Sequence, residues 1–509
     1  MNGILSSLMA GVGFVYFSLQ GLWKFFVGVI LPVAGILLAV VVVLLVIALL
    51  RTLLQGKKTA DYVPNPDPAR EKEYAEKLSK MVQVETISTR GVSEPEKFRK
   101  FHDVMRQQFP RVFEACQVVD LDGNLLLRWQ GKSSENPIML MSHMDVVPAG
   151  TGWTHDPFGG EISDGVVWGR GTADTKASVM GFYQAAEELL AEGYVPPVDV
   201  YLCSSCTEEV GGDGAPKIVQ WLQDHGVKLA MLSDEGGGII AEPIGGIPGN
   251  FAMVGVYEKG TGDLKFTARS TGGHASAPKK DTPLVRLGKF MACVDKKTPM
   301  TVKFSPEVDA MFARLAPYGS FPLRLVLGNL WLFKPVLKKA LPLISPQAAA
   351  MLQTTVAFTM AKGSDGYNVI PQEAYVTANL RFIPHQNVEE SVAVLRKLAA
   401  RYDIETEVQV ANDASPRLDL NGRAFRLTEK AIERTFPGMP ASPYIVTGAT
   451  DSRFYDFEEV CSACVRFAPV VFGPKQMKGL HGIDECVDTN CLPGAVDFYK
   501  NLILLQEEQ

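Results

Sequence analysis

The stretch Pro137-Ile-Met-Leu-Met-Ser-His-Met-Asp145 places a short apolar run directly before a histidine and an aspartate. Such a run is typical of a buried strand, which here would end at His143. Two further apolar runs end in the same way, residues 198–206 before Glu208 and residues 229–232 before Asp234. Because these runs alternate with helical stretches, the sequence predicts an α/β fold with a mostly parallel sheet.

Acidic residues and histidines that follow these runs point to a metal site. Ligands of open α/β sheets collect at the carboxyl ends of the strands. Zinc takes imidazole nitrogen and carboxylate oxygen, and a pair of zinc ions needs a bridging carboxylate plus terminal ligands for each ion. The sequence therefore predicts one dinuclear site. Its candidate ligands are His143, Asp174, Glu209, Asp234 and His481, with Glu208 next to a ligand.

Each of these blocks carries little weight by itself. A His-x-Asp pair such as His143 and Asp145 is often a surface turn, and adjacent glutamates usually face solvent. The conjunction of five blocks is what favours a site. An inactive protein that keeps the fold is an alternative, but such proteins usually lack a ligand, and here all five blocks are intact.

The blocks resemble those of the aminoacylase and carboxypeptidase S family of dinuclear zinc hydrolases, over roughly residues 71–505. The likeness is to the branch of carboxypeptidase S and the N-fatty-acyl-amino-acid hydrolases. It implies two Zn²⁺ ions bridged by Asp174, with Co²⁺ or Mn²⁺ as substitutes. It further implies that one ion is completed by His143 and Asp234 and the other by Glu209 and His481.

The same resemblance implies the other catalytic roles. Asp145 would fix the imidazole tautomer of His143, and Glu208 would be the general base. His274, in a Gly-Gly-His motif, would donate to an oxyanion, although alone it could be an ordinary turn histidine. The candidate substrate-binding residues are Asn368, Arg381 and Arg453. A guanidinium suits bidentate binding of a free carboxylate, but Arg453 could also simply pair with the nearby Asp451.

Residues 258–412 have the periodicity of a smaller inserted domain. Strand-like runs at 260–270, 355–361, 373–382 and 404–410 are combined with helical stretches at 281–295 and 388–401. The order βαββαβ is that of a ferredoxin-like unit, and it matches the lid domain of the resembled family. The catalytic domain would then comprise residues 71–257 and 413–509.

An apolar insertion lies within the lid at residues 306–354, of the kind that the carboxypeptidase S branch carries. The functional interpretation is an apolar wall for the acyl part of a substrate, with Leu330, Trp331 and Phe333 as its lining. Plain packing of the lid, or a contact between subunits, would explain the same residues equally well.

The N-terminal region, residues 1–58, is predicted to anchor the chain in the lipid bilayer. Residues 25–50 carry no charge. As a helix they would be about 39 Å long at 1.5 Å per residue, which exceeds the roughly 30 Å hydrocarbon core. The uncharged residues before Lys24 leave open a helical hairpin. A cleaved signal peptide is disfavoured because the run is too long and no basic segment precedes it.

The segment after the span gives a weak indication of orientation. Arg51, Lys57 and Lys58 follow the span and only Lys24 precedes it. The positive-inside rule therefore favours a cytoplasmic catalytic domain, whereas relatives in the carboxypeptidase S branch are lumenal or secreted. Residues 59–70, with three prolines, are predicted to form a short stiff linker.

Composition excludes some function classes. A net charge of −6 provides no basic footprint for nucleic acid. Eight cysteines in 509 residues are no disulfide framework. The pairs Cys203-x-x-Cys206 and Cys461-x-x-Cys464 could hold a structural zinc or form a redox motif, but their apolar surroundings favour plain core positions.

The sequence thus predicts a membrane-anchored di-zinc hydrolase that cleaves the amide bond next to a free carboxylate. N-acyl amino acids or peptides are the expected substrates, and the resemblance leaves homodimer formation open. Two alternatives remain, namely a dipeptidase or aminopeptidase of related fold and a catalytically silent membrane binding protein.

Overall fold

The computed structural model describes residues 23–24, 26–456, 459–461 and 463–508. Strands and helices alternate along most of this range, as expected for an α/β protein. The described strands are β1 Gln117–Leu121, β2 Asn124–Trp129, β3 Ser133–His143, β4 Ile162–Ser163, β5 Val166–Trp168, β6 Val198–Ser205, β7 Met231–Ala241, β8 Asn250–Glu258, β9 Gly260–Arg269, β10 Gly273–His274, β11 Thr355–Lys362, β12 Val369–Ile370, β13 Glu373–Phe382, β14 Glu405–Asn412, β15 Ala441–Val446, β16 Cys464–Phe472 and β17 Cys486–Asp488.

Short 3₁₀ and π turns connect several of these elements. The described α-helices are α1 Leu31–Gln55, α2 Pro68–Val82, α3 Pro95–Gln108, α4 Pro110–Ala115, α5 Ala177–Ala191, α6 Gly214–Asp224, α7 Pro283–Lys296, α8 Pro306–Leu315, α9 Phe321–Leu327, α10 Leu330–Ile344, α11 Pro346–Leu352, α12 Val388–Ala400, α13 Arg423–Thr435, α14 Pro474–Gly479 and α15 Leu492–Leu504.

Eight strands form the main sheet, in the order β1-β2-β6-β3-β7-β16-β8-β15. The central strands β6, β3, β7 and β16 run parallel to one another. Strands β1, β2 and β8 add antiparallel pairings. The α/β prediction is confirmed, and the sheet is mixed around a parallel centre. This centre brings the carboxyl ends of β3 and β6 to the same edge, next to residues 234–235 of β7.

Helix α5 fixes one side of that edge because it is almost entirely buried against the sheet. The rings of Phe182 in α5 and Tyr499 in α15 meet edge to face, with 5.7 Å between their centroids. A Cβ on Gly181 would lie 3.1 Å from the Tyr499 ring, so a glycine permits this close packing. The loop that contains Asp174 leads directly into α5 and is therefore held in place.

Strand β7 departs from the prediction that it ends at Asp234. It continues through three glycines to Ala241. A Cβ on Gly237 would lie 2.3 Å from the carbonyl oxygen of Met253 and 2.4 Å from that of Arg466, so only glycine lets β7 pass between β8 and β16. Asp234 and Glu235 are consequently consecutive strand residues, and their side chains point to opposite faces.

The inserted domain has a four-stranded antiparallel sheet in the order β11-β13-β9-β14. Helices α7 and α12 cover the sheet around a buried apolar cluster that includes Phe266 and Phe290. The ferredoxin-like lid is therefore confirmed. The insertion between α7 and β11 folds into the four helices α8 to α11.

The N-terminal segment forms a helix over Phe26–Gln55, which is long and apolar enough to cross a membrane. Most of its side chains are exposed. Residues 1–22, which would supply the first arm of a hairpin, lie outside the described residues.

The eight cysteines all lie in the described part of the chain, and all are free. Cys203 and Cys206 are buried in two different apolar clusters, as strand alternation predicts. Cys461 and Cys464 are buried together in one of these clusters. These positions agree with the interpretation of both pairs as core residues.

Candidate metal centre

His143 is the last residue of β3 and lies almost fully buried at the carboxyl edge of the sheet. Its Nδ1 atom is 2.9 Å from the backbone oxygen of Asp145. A ring nitrogen bonded to a carbonyl oxygen must carry the proton, so Nε2 is left with its lone pair free for a ligand. Nε2 points toward the carboxylates of Asp174 and Glu235, at 3.1 and 3.3 Å.

The side chain of Asp145 connects the two loops of the site. Its carboxylate is fully buried and lies 3.5 Å from Nδ1 of His143. It also accepts hydrogen bonds from the backbone amides of Glu208 and Glu209, each at 3.2 Å, and from the hydroxyl of Ser88 at 2.6 Å. Asp145 therefore orients the imidazole and the loop after β6 together.

Asp174 lies in the turn before α5, and its two carboxylate oxygens face two different histidines. Oδ1 is 3.1 Å from Nε2 of His143, and Oδ2 is 3.1 Å from Nε2 of His481. His481 is also 3.1 Å from Oε2 of Glu209. The structure thus forms two ligand groups that share Asp174, which is the arrangement of a bridging carboxylate.

Glu485 holds the Asp174 turn in place from the segment that carries His481. Its buried carboxylate accepts hydrogen bonds from the amides of Ala173 and Asp174, both at 3.0 Å. It also accepts from the amide of Gly171 at 3.0 Å and pairs with Arg170 at 2.7 Å. One carboxylate therefore fixes the bridging residue relative to a histidine more than 300 residues away along the chain.

Glu235, and not Asp234, faces the ligand cluster from β7. One oxygen of Asp234 accepts from the amide of Ser452 at 2.9 Å and the other from the amide of Glu235 at 2.8 Å. Both oxygens of Asp234 therefore bond backbone amides rather than facing the histidines. The expectation that Asp234 joins His143 is corrected to Glu235, because the side chains of neighbouring strand residues alternate.

Crowding of carboxylates in a buried space shifts their protonation. Burial, together with the charge of Asp174, raises the pKa of Glu235 to about 7. Burial likewise raises the pKa of Glu208 well above its ordinary value. Hydrogen bonds to Asp174 and Glu209 raise the pKa of His481 to about 10. Bound cations would offset the negative charge of so many buried carboxylates, so the cluster suits divalent cations.

Glu208 completes the cluster. One carboxylate oxygen of Glu208 lies within 4.8 Å of ligand atoms of His143 and Glu235. The only ion pair that the described residues give Glu208 is with Arg453, at 3.8 Å. Glu208 faces a cavity of about 300 Å³, together with Asp174, Glu209, Glu235 and His481. It is therefore placed where an acid-base group would meet a substrate bound above the cluster.

Two predicted lid residues are brought together but lie away from this cluster. His274 and Asn368 are both exposed, and the amide of Ala275 donates to the backbone oxygen of Asn368 at 2.9 Å. Nδ1 of His274 is 2.7 Å from the hydroxyl of Ser276. No described lid residue lines the metal cavity. The roles predicted for both residues stay predictions.

Arg381 and Arg453 lie closer to the site. Arg453 donates to the backbone oxygen of Thr450 at 2.9 Å and reaches Glu208. Arg381 is half-buried in β13, where burial and the charge of Arg453 lower its pKa. Among the described residues Arg381 has no ion-pair partner within 4 Å. A half-buried guanidinium without a partner is suited to an anionic ligand.

A second, apolar cavity of about 420 Å³ adjoins the metal cavity. The two cavities share a wall of four residues, Ile240, Met253, Tyr444 and Met477. The insertion supplies the opposite wall of this apolar chamber from α8 and α11. These lining residues are Met311, Leu315, Pro346, Gln347, Ala350 and Met351. The insertion thus lines an apolar cavity, and its role as a wall for an acyl chain stays a prediction. Leu330, Trp331 and Phe333 lie outside the lining, so that choice of lining residues was wrong.

Two functional residues escaped the sequence argument. Glu235 was quoted only as a neighbour of Asp234, and Glu485 only as the end of the block that contains His481. The available signal was the block itself, since an acidic residue follows a candidate ligand in each case. Which of two adjacent acids turns inward depends on strand pairing far away in the chain.

Known proteins are similar to this chain in sequence. Residues 139–505 match the family model described as "Peptidase family M20/M25/M40". The chain is 35% identical over 446 residues to N-fatty-acyl-amino acid synthase/hydrolase PM20D1 of Xenopus tropicalis, with 85% of each chain covered. It is 32% identical over 448 residues to the probable carboxypeptidase S-like 2 of Dictyostelium discoideum, with 85% of this chain and 84% of that one covered.

Solved structures agree on the fold. The M20 family metallo-carboxypeptidase Sso-CP2 of Sulfolobus solfataricus superposes with a TM-score of 0.63 at 15% identity, covering 85% of this chain and 98% of that one. Human carnosine dipeptidase 1 gives a TM-score of 0.59 at 15% identity, covering 86% and 97%.

Proposed function

Because the chain belongs to the M20/M25/M40 peptidase family of metallohydrolases, we propose that it hydrolyses N-acyl amino acids that carry a long apolar acyl chain. The observation that carries this proposal is the apolar chamber, which shares a wall with the metal cavity. A substrate with its scissile amide at the metal cluster could extend its acyl chain into the chamber. A dipeptide would leave most of that apolar surface uncovered.

The donor set of two histidines and three carboxylates would hold two divalent cations, which we propose to be Zn²⁺. His143, Glu235 and Asp174 would hold one, and His481, Glu209 and Asp174 the other. When bound, these ions supply Lewis acidity that polarises the substrate carbonyl and acidifies a water molecule.

Glu208 is the proposed general base. Its carboxylate would accept the proton of the attacking water and then deliver that proton to the leaving amine nitrogen. Asp145 keeps this step in register because it bonds the amides of Glu208 and Glu209 as well as orienting His143. Arg453 lies 3.8 Å from the carboxylate of Glu208, and its positive charge would favour the ionised form of the base against the effect of burial.

Arg381 is proposed to bind the free carboxylate of the substrate. The exposed position of His274 leads to a different proposal. Because no described lid residue lines the metal cavity of its own chain, we propose that His274 and Asn368 act on the oxyanion in a second copy of the protein. A homodimer is then the active form.

The helix Phe26–Gln55 is proposed to anchor the enzyme in a membrane. Its exposed apolar side chains need a lipid environment to be buried. The basic residues Arg51, Lys57 and Lys58 after the span favour a cytoplasmic catalytic domain. An amphiphilic substrate that partitions into the bilayer would be concentrated at such an enzyme.

The proposal is tested by the dependence of kcat/KM on acyl chain length, with the metal-loaded, full-length protein in nanodiscs. Each added methylene that becomes buried contributes about 0.8 kcal/mol, so kcat/KM should rise nearly fourfold per carbon until the chamber is full. Met351→Trp would block the chamber and should remove the preference for long chains. Met360→Trp, on the exposed lid strand β11, is the matched control.

A flat chain-length profile in the wild-type protein would contradict an acyl-amino-acid hydrolase. Preferred cleavage of dipeptides would then favour a dipeptidase or carboxypeptidase. Metal binding without turnover of any of these acyl amino acids or dipeptides would favour a silent binding protein.

A further inference from the structure

The N-terminal helix does not stand apart from the catalytic half, because the insertion is bonded to its last turns. Asn329, the residue before α10, is fully buried. Its side-chain nitrogen Nδ2 donates to the hydroxyl of Thr52 at 3.0 Å and to the backbone oxygen of Ala48 at 3.3 Å. Arg324 in α9 donates to the backbone oxygen of Thr52 at 2.9 Å. Ala48 belongs to the uncharged run of residues 25–50, so these bonds contact the N-terminal helix near the end of that run.

The segment after the helix continues along the same surface. The amide of Lys58 donates to the backbone oxygen of Pro317 at 2.9 Å. A Cβ on Gly249 would lie 2.7 Å from the Cβ of Ala60, so this segment packs closely against Gly249. The predicted linker is therefore packed on the protein body, and the orientation of the insertion relative to the N-terminal helix is fixed at several points.

Helix α10 leaves this junction with an apolar surface that no described residue covers. All fifteen of its residues are described, and only Leu330 is buried. Leu343 and Ile344 are 85% and 73% exposed, and Val336 and Trp331 are also exposed. Exposed apolar patches of this kind mark membrane or protein contact sites.

The polar residues of α10 suit a lipid interface. Lys338 and Lys339 are exposed beside the apolar side chains. Interfacial helices combine lysines with leucine and tryptophan, because long cationic side chains can reach the phosphates while the apolar ones enter the acyl region. Lys334 is used differently, since it pairs with Asp309 in α8 and holds α10 against the body.

The outer end of the apolar chamber opens at the same place. Pro346 and Gln347, at the start of α11, are exposed and also line the chamber. Only Ser345 separates them from Leu343 and Ile344. The chamber therefore leads from an exposed apolar rim to the residues that it shares with the metal cavity.

We propose that the exposed face of α9 and α10 lies in the headgroup region of the leaflet next to the end of the N-terminal helix, and that substrate acyl chains pass from this leaflet into the chamber beside Leu343 and Ile344. This inference rests on the proposed membrane anchor and acyl-amino-acid specificity. It adds the surface that faces the lipid and the route that the substrate takes.

The position of α10 is tested by lipid-mediated quenching in the full-length protein, reconstituted into nanodiscs. A fluorophore is attached to Val336→Cys or Leu343→Cys in a Cys293→Ser background, since the other seven cysteines are buried. Phospholipids with a spin label near the headgroup should quench both probes. A probe on Val40→Cys reports on the anchor, and a probe on Val410→Cys in the lid strand β14 is the exposed apolar control.

The outcomes separate the two proposals. Quenching at residues 336 and 343 but not at 410 supports the lipid-facing surface. Quenching at residue 40 without quenching at 336 and 343 overturns the lipid-facing surface and leaves the anchor intact. Protection of the probes at 336 and 343 in a detergent-solubilised dimer has the same meaning. Absence of quenching at residue 40 by lipids labelled along the acyl chain overturns the anchor and this inference together.

The substrate route is tested with the paired substitution Leu343→Glu and Ile344→Glu. For a long-chain substrate dissolved in the bilayer, kcat/KM should fall at least tenfold, whereas a water-soluble N-acetyl substrate should be cleaved as before. Leu284→Glu with Val285→Glu, an adjacent exposed apolar pair in α7, is the matched control and should change neither rate. An equal loss for both substrates, or none for either, overturns the route. A wild-type protein without a long-chain preference would instead contradict the proposed function.

Discussion

The edge of the main sheet and the tip of the lid contain residues of the same chemical kinds but hold them very differently. At the sheet edge, His143 and Asp174 are each fixed by further buried groups, namely Asp145 and Glu485. At the lid tip, the side chain of His274 is exposed, and among the described residues its ring hydrogen-bonds Ser276 alone. The cluster is preorganised by its own chain, whereas His274 is proposed to act only when a second copy of the protein is brought to it.

This difference separates catalysis from recognition in physical terms. Preorganised ligands keep cations and the general base in register without a further loss of entropy when substrate binds. A lid that contributes groups on closure or from another subunit can instead select the substrate. Substitutions at the two places should therefore differ in what they change, metal content at the sheet edge and substrate kinetics at the lid.

The largest effect is expected within the cluster, for Glu208 against its neighbour Glu209. Glu208→Gln removes the proton acceptor but no proposed metal ligand, so turnover should fall by up to about 10⁴-fold while metal content stays unchanged. Glu209→Gln should lose metal as well as activity. Metal analysis by mass spectrometry and steady-state kinetics measure both. Equal metal loss in the two variants would contradict the separation of base and ligand.

The next effect distinguishes the adjacent acids of β7. Glu235→Gln should lower the metal content to about one ion per chain and reduce kcat/KM by about 10³-fold, since one of two cations loses a ligand. Asp234→Asn should keep its metal, because both oxygens of Asp234 bond backbone amides. Its cost should appear as a lower melting temperature. Metal loss in Asp234→Asn alone would restore the original assignment.

These two acids show where sequence reasoning reaches its limit. Strand and helix periodicity predicted the α/β sheet and the βαββαβ lid, because burial of one face makes apolar residues recur at the period of the strand or helix. The strand ends predicted where ligands would gather. The choice of Asp234 over Glu235 was wrong because the two acids are adjacent in the sequence. Which of them faces the cluster depends on how β7 pairs with β8 and β16.

The insertion shows a second limit. The insertion does line an apolar cavity, but Trp331 and Phe333, which were predicted to line it, lie outside the lining. A helical pattern indicates that one face must be covered, yet it does not say by what. Here α8 and α11 face the chamber, while α10 begins at the bonds to Thr52 and Ala48.

An intermediate effect is expected at the lid tip. His274→Ala should reduce kcat by about 10²-fold with no loss of metal, because an oxyanion donor is removed. If His274 serves a second copy, co-expression of His274→Ala with Glu208→Gln should restore part of the activity, since one site in the mixed dimer is then intact. Isolated hetero-oligomers without recovered activity would place His274 in the site of its own chain.

The smallest effect is expected for Arg381, where the charge can be kept while the geometry changes. Arg381→Lys loses the bidentate fork, and a charge-assisted hydrogen bond contributes about 1.5–3 kcal/mol, so kcat/KM for a free acid should fall about tenfold or more. For the methyl amide of the same substrate the variant and the wild type should be equal, because that substrate has no carboxylate to bind.

Arg269→Lys is the matched control in the paired strand β9, where the arginine is exposed and already bonded to Glu373 and Glu405. Exposed pairs of this kind contribute little, so neither substrate should respond to the control. A wild-type enzyme that cleaves the acid and the amide equally well would show that Arg381 does not bind the carboxylate, and the lid would then select its substrate by shape and by the acyl chain alone.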